Sequence, residues 1–161
     1  MMYDITLITV GKLKEKFYLS AAAEYEKRLG GYCRFKMIEL PETRLPENPS
    51  DAEISAGLEK EAVSILSNIP KNAWFCVLTP EGKLLSSEML AQKIAELKVN
   101  GKSSVCYLIG SSFGIAPSIK AKADFKLSMS PMTFPHHLAR VMVMEQIYRA
   151  EAIQAGSKYH K

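Results

Sequence analysis

The chain has 161 residues, of which 47% are hydrophobic and 24% charged, and its net charge is +4. This length suits one ordinary domain over residues 1–161, which would bury roughly two-thirds of the surface that the unfolded chain exposes. The composition excludes a disordered or fibrous protein, and the apolar runs are too short to span a membrane. The N-terminal residues MMYDITLITVGK read as a strand rather than a signal peptide, so we expect a cytoplasmic protein.

Strand and helix patterns alternate along the chain. Runs rich in β-branched and apolar residues predict strands at 5–10, 35–40, 74–78, 104–109 and 125–128. Helical spacing predicts helices at 13–29, at 117–122 and at 135–155, and two more that begin after caps at Ser50 and at Ser86 or Ser87. This alternation predicts an α/β fold with a mainly parallel sheet flanked by helices.

The first helix carries its apolar residues at four-residue spacing, with Phe17, Ala21, Tyr25 and Leu29 on one stripe. Such a stripe predicts a face that packs against the core. Pro80 to Lys83 reads as a turn that follows the third strand.

The three cysteines, Cys33, Cys76 and Cys106, are widely spaced and include no C-x-x-C pair. This spacing indicates neither a disulfide framework nor a cysteine zinc site, so we expect reduced thiols in the core. No metal site is predicted anywhere in the chain.

Basic residues are grouped along the chain. They follow the first strand, end the first helix and mark the C-terminal region: Lys12, Lys14, Lys16, Lys27, Arg28, Arg140, Arg149, Lys158 and Lys161. If folding brings these groups to one face they could attract phosphates, and otherwise they are ordinary solvated cations.

Ligands of parallel α/β sheets bind beyond the carboxyl ends of the strands, which points to the loops after Leu78, Ile109 and Ser128. Gly110 and Gly114 could let a ligand approach the backbone, but G-x-x-x-G lacks the third glycine of a dinucleotide fingerprint and the Gly-Lys-Ser/Thr of a P-loop. A simple turn explains this pair equally well.

The loop after Ser128 is unusually stiff and apolar, because Pro131 and Pro135 restrict their own backbone and that of the preceding residues. We interpret Met132, Thr133 and Phe134 as a surface able to sandwich a purine and a thioether.

Chemistry-bearing side chains follow in the last helix. His136 and His137 are adjacent, so on a helix they point about 100° apart and cannot easily chelate one metal. Arg140 and Arg149 could each hold a phosphate or face water, and Glu145 could pair with Arg149. No Ser-His-Asp motif or pair of hydrolytic carboxylates is evident.

Several segments together resemble the ribosomal RNA large subunit methyltransferase H family. They are ITLITVGKLKEKF, AAAEYEKRLG, GKLLSSEMLA, YLIG-x-x-x-G, SMSPMTFPHHLARVMVMEQIYRA and the terminal YHK. The resemblance covers essentially the whole chain. It implies a SPOUT-type fold with a C-terminal trefoil knot, a homodimer, and methylation of N3 of a pseudouridine in 23S ribosomal RNA on assembled ribosomes.

The resemblance also implies S-adenosylmethionine as cofactor. Its expected binding residues lie at the same three strand ends: Leu78, Gly110, Ser111, Met129, Ser130, Pro131, Met132, Thr133 and Phe134. Where many relatives have Gly-Gly, this chain has Gly110-Ser111. If that second position requires a positive φ, the serine would be strained and cofactor binding weakened.

We hypothesise that Tyr159 and His160 from one subunit, with Arg149, place the base near the other subunit's cofactor. Arg140, His136 and Lys161 are the expected substrate-binding residues, and His136 or His137 is a further candidate for accepting a proton. A hypothesis of another class is a non-catalytic, knotted protein that binds the ribosome or its RNA. A nucleotide-dependent small-molecule enzyme is disfavoured, because no phosphate loop is present.

Overall fold

The computed structural model describes residues 2–161 and contains a five-stranded, wholly parallel sheet flanked by helices. In chain order the elements are β1 Tyr3–Val10, α1 Lys16–Leu29, β2 Cys33–Leu40, α2 Asp51–Asn68, β3 Ala73–Leu84, α3 Ser87–Val99, β4 Ser104–Ile109, α4 Pro117–Lys122, β5 Phe125–Ser128 and α5 His136–Gln154. The strand order is β2-β1-β4-β3-β5. The predicted α/β fold with a parallel sheet is therefore confirmed.

The core lies on both faces of the sheet because the side chains of each strand alternate between them. On one face Leu7 and Tyr107 pack with α1, α3 and α5, and on the other Ile8 and Leu108 pack with α2 and α4. All six residues of β4 are buried, which explains its continuous apolar sequence. Each such buried side chain contributes roughly 1.5–3 kcal/mol.

Local sequence signals fix several helix boundaries. Ser50 and Glu53 form a reciprocal capping box at the start of α2, and the Ser86 hydroxyl accepts from the Met89 amide at the start of α3. Both caps were predicted. Cys33, Cys76 and Cys106 are free and buried, and burial raises the pKa of each thiol, so they are core residues as expected.

The start of α1 differs from the prediction. The helix begins at Lys16 rather than near residue 13, because the Leu13 amide donates to the Glu39 carboxylate at 3.1 Å and holds the chain against the sheet edge. Phe17 is also 66% exposed rather than packed in the core.

The predicted turn after residue 78 is wrong, because β3 continues to Leu84. The strand bulges between Leu78 and Lys83, which both pair with Leu127 of β5. Gly82 crosses β5 so closely that an added Cβ would lie 2.7 Å from the Lys126 carbonyl carbon. The continuation depends on this tertiary contact, which has no local sequence signal. In residues 2–161 no helix is long and apolar enough to cross a membrane.

Candidate functional site

A cavity of about 450 Å³ opens where the carboxyl ends of β3, β4 and β5 meet. Three loops supply most of its wall, and they are the three that the sequence indicated. The lining residues from these loops are Leu78, Thr79, Pro80, Glu81, Ile109, Gly110, Ser111, Ser112, Gly114, Met129, Ser130, Met132, Thr133 and Phe134. Pro131, which was predicted with them, is not among the lining residues.

The turn after β4 brings bare backbone to the cavity wall. A Cβ on Gly110 would lie 2.4 Å from the Gly114 carbonyl oxygen and 2.4 Å from a side-chain carbon of Ile115, so no larger residue fits. The Gly114 amide donates to the Ser111 carbonyl at 2.9 Å and closes the turn. Gly110 is thus required by close approach of the chain to itself.

Ser111 is not strained, contrary to the concern raised by the sequence. Among residues 2–161 the non-glycine residue with positive φ is Asn72, so Ser111 occupies ordinary backbone space. Its side chain is buried, and its hydroxyl has no hydrogen-bond partner in the structure. An unpaired buried hydroxyl in a cavity wall is a ready partner for a polar ligand atom.

The loop between β5 and α5 is held by its own serines. The Ser128 hydroxyl donates to the Ser130 carbonyl at 3.1 Å, and the Met132 amide donates to the Ser130 hydroxyl at 3.0 Å. These bonds and the two prolines limit the freedom that the loop loses when a ligand binds. Met132 remains 73% exposed at the cavity mouth.

Two charged lining residues were missed by the sequence analysis. Lys120 of α4 pairs with Glu81 in the β3 bulge, and this contact lowers the pKa of the Glu81 carboxyl to about 2. Their juxtaposition depends on the unexpected extension of β3, so no sequence signal could have revealed it.

The two histidines face different surroundings. His136 lines the cavity, whereas the His137 Nδ1 lies 3.3 Å from the Glu15 carboxylate, outside the cavity lining. Their rings touch edge to face, with centroids 4.3 Å apart.

Arg140 does not fit the expected role of substrate binder. It is only 1% exposed, it pairs with Glu39, and it donates to the Gly11 carbonyl at 2.9 Å. Its guanidinium therefore ties α5 to the ends of β1 and β2. A phosphate could not reach it without unfolding this contact.

The chain end folds back on the protein. Arg149 donates to Glu145 at 2.6 Å, lies 3.0 Å from the His160 Nδ1, and stacks over the Tyr159 ring at 4.7 Å. The His160 Nε2 in turn meets Glu88 at the start of α3. The structure brings these predicted catalytic residues together, but within residues 2–161 none of them lines the cavity, and Lys161 is simply exposed.

Comparisons with known proteins identify the family of the chain. The family described as "Predicted SPOUT methyltransferase" matches residues 3–160. The chain is 48% identical to "Ribosomal RNA large subunit methyltransferase H" of Bifidobacterium adolescentis and 44% identical to the protein of that name in Clostridium novyi, and each match covers 98% of this chain and 99% of the relative.

A solved structure described as a probable methylase family protein from Haemophilus influenzae shares the fold, with a TM-score of 0.50 at 15% identity over 99% of this chain and 70% of that one. The site at the three strand ends and the near full-length matches lead to one conclusion. The chain belongs to the SPOUT methyltransferase family, in the group of ribosomal RNA large subunit methyltransferase H proteins.

Proposed function

We propose that this protein transfers a methyl group from S-adenosylmethionine to N3 of a pseudouridine in 23S ribosomal RNA, acting on assembled ribosomes. Relatives of nearly equal length carry the name of a ribosomal RNA large subunit methyltransferase. The observation that carries the proposal is the meeting of three strand-end loops at one cavity, whose wall after β4 is closed by the tight turn at Gly110.

The cavity wall suits this cofactor. Leu78, Met129 and Phe134 offer apolar surface to an adenine ring and a thioether-like chain. The unpaired Ser111 hydroxyl offers a hydrogen bond to a polar atom of the cofactor. Because Ser111 is unstrained, the reason for expecting weakened cofactor binding is removed.

When bound, S-adenosylmethionine supplies an activated methyl group, so the protein's main task is positioning. The stiff loop from Met129 to Phe134 holds one side of the cavity and excludes water. The remaining requirement is a group that holds the target base in line with the methyl group.

We propose that the partner subunit supplies this group. In its own subunit the tail of Tyr159 and His160 lies against Arg149 and Glu88, away from the cavity wall. Exposed apolar side chains on α1 and α5, Phe17 at 66% and Leu138 at 37%, provide a surface for a second copy. A tail that crosses this interface would complete the neighbouring cavity.

The reaction is tested with S-adenosylmethionine that carries a labelled methyl group. We expect label to enter the pseudouridine of ribosomes that lack the methyl group, and naked RNA to be a poor substrate. Absence of label in both substrates, with folded protein that binds the cofactor, would refute the proposal.

The tail assignment has a sharper test in mixed dimers. Deleting residues 159–161 should abolish transfer while S-adenosylmethionine binding by calorimetry is retained. Gly110→Ala should abolish cofactor binding while the tail is intact. A mixed dimer of these two variants regains one complete site if the tail acts across the interface, and stays inactive if the tail serves its own cavity.

The same calorimetry distinguishes the proposed methyltransferase from the alternative, a non-catalytic ribosome-binding protein. The alternative requires that addition of S-adenosylmethionine produces no heat and no thermal stabilisation. The unstrained backbone of Ser111 removes the sequence argument for it.

We also propose that the chain is knotted near its C-terminus, as the family resemblance implies. In the part of the chain near this proposed knot, the Gly82 backbone lies close against β5.

A further inference from the structure

The proposed cofactor contacts assign no part to His136, a titratable side chain in the cavity wall. His136 is the first residue of α5, is half-buried, and lines the cavity directly after the loop that ends at Phe134. Its neighbour His137 points to Glu15 instead. Of these two histidines, His136 is the one placed to meet a substrate.

The Glu42 carboxylate and the His136 imidazole both lie around Gly11. The Nε2 atom of His136 and the Oε2 atom of Glu42 lie 3.9 and 3.6 Å, respectively, from the point where a Cβ on Gly11 would sit. The Ser112 hydroxyl donates to the other oxygen of Glu42 at 2.9 Å. This bond fixes the carboxylate beside the cavity, since Ser112 is itself a lining residue.

Gly11 keeps the space between these two groups open. It has φ +105°, a conformation that residues with a side chain rarely adopt, and it ends the β1 strand beneath them. The loops after β1, β2 and β4 and the start of α5 therefore converge on the imidazole and the carboxylate.

The surroundings keep the imidazole neutral near pH 7. Burial is the largest influence lowering the pKa of His136 from 6.5, and His137 and Arg140 act in the same direction. Glu42 and Glu15 act in the opposite direction and would stabilise the ring once it is protonated. A neutral histidine beside a carboxylate has the properties of a general base.

We infer that the Nε2 atom of His136 accepts the N3 proton of the target base and that Glu42, held by Ser112, stabilises the resulting imidazolium. This inference rests on the proposed function. As N3 forms its bond to the methyl carbon, the carbon–sulfur bond of the sulfonium breaks and its electron pair stays on sulfur as a neutral thioether. The N3–H bond breaks in the same reaction, and the proton passes to the imidazole.

The test compares single-turnover methyl transfer by the full-length protein and three variants, His136→Gln, Glu42→Gln and Glu47→Gln, on ribosomes lacking the methyl group. We expect a loss of about 10²–10⁴-fold for His136→Gln, the usual contribution of a general base. Glu42→Gln should cost about tenfold, because the imidazolium loses a nearby carboxylate that stabilises it. Glu47→Gln changes an exposed glutamate of the same loop, so it is the matched control for Glu42→Gln and should stay within about threefold of the unchanged protein.

The pH profile separates proton transfer from a structural role. For the unchanged protein the rate should rise with pH up to the pKa of His136, below 6.5, and then level off. For His136→Gln the levelling should disappear and the rate should keep rising with pH. Calorimetric affinity for S-adenosylmethionine should be the same in all four proteins.

Three outcomes would overturn the inference. They are a wild-type rate in His136→Gln, a reduced rate that keeps the levelling profile, and a loss of cofactor affinity that accounts for the reduced rate. If His136→Gln does not fold, the surface variant Glu42→Gln decides, and an unchanged rate there overturns the role of the pair. Transfer by the unchanged protein preserves the proposed function in each case, whereas its absence removes both.

Discussion

Replacing Arg140 with methionine should destabilise the protein by about 2–3 kcal/mol while leaving RNA affinity per folded molecule unchanged. The guanidinium is 1% exposed, and it joins α5 to Glu39 of β2 and to the Gly11 carbonyl. Methionine matches the length of the aliphatic stem but removes the guanidinium donor from the Gly11 carbonyl and from Glu39, which keeps only the Leu13 amide.

The magnitude follows from the burial of each partner. Breaking a fully buried ion pair costs about 3–5 kcal/mol, because the remaining charge is left unpaired. Glu39 is 31% exposed, so water partly compensates it. The Arg140 Nε has no partner in the folded protein, and its removal recovers part of the loss.

The free energy of unfolding is measured by chemical denaturation at one fixed protein concentration, because the stability of a dimer depends on concentration. In a parallel thermal denaturation, a loss of this size lowers the melting temperature by roughly 5–10 °C in a chain of this length. Arg34→Met is the matched control: its pair with Asp4 is solvent-exposed, so stability should stay nearly unchanged. Unchanged stability together with a weaker salt dependence of ribosome binding would show that Arg140 contacts phosphate and would refute the reasoning.

Two further predictions concern the cavity wall. Gly110→Ala should eliminate detectable S-adenosylmethionine binding in calorimetry, because the Cβ of the alanine would lie 2.4 Å from the Gly114 carbonyl oxygen. Wild-type affinity in this variant would contradict the prediction, since it would show that the turn adapts to the added methyl group. Lys120→Ala should raise the pKa of Glu81 from about 2 toward 4.5, as followed by carboxyl carbon NMR shifts, and no change would contradict the contact. In the unchanged protein, the stabilisation from this pair is complete above pH 4.5 and is lost as the pH falls toward 2.

The part of the site that follows strand ends was predictable from the sequence. Leu78, Gly110 and the loop from Met129 to Phe134 were placed together because parallel strands share one carboxyl edge, and the structure has all three at one cavity. Pro131 was the exception, since its position in a stiff loop does not determine whether it lines the cavity.

Side chains whose role depends on distant partners could not be assigned from the sequence. Arg140 has the spacing of an exposed helical cation. In the folded protein its guanidinium is buried, because it pairs with Glu39, which lies 101 residues away along the chain. Glu81 and Lys120 meet only because β3 extends over β5. The Phe17 stripe likewise satisfied helical periodicity, but the side chain remains exposed.

By itself the sequence determined the alternation of strands and helices, the caps at Ser50 and Ser86, and the family, because periodicity, capping and motif identity are local properties of the chain. The tertiary structure alone decided the burial of Arg140, the continuation of β3, and the placement of His136 and Glu42 around Gly11. These three features depend on which segments become neighbours after folding. The energy of a buried charge or of a close backbone contact is determined by those neighbours rather than by the position of the residue in the sequence.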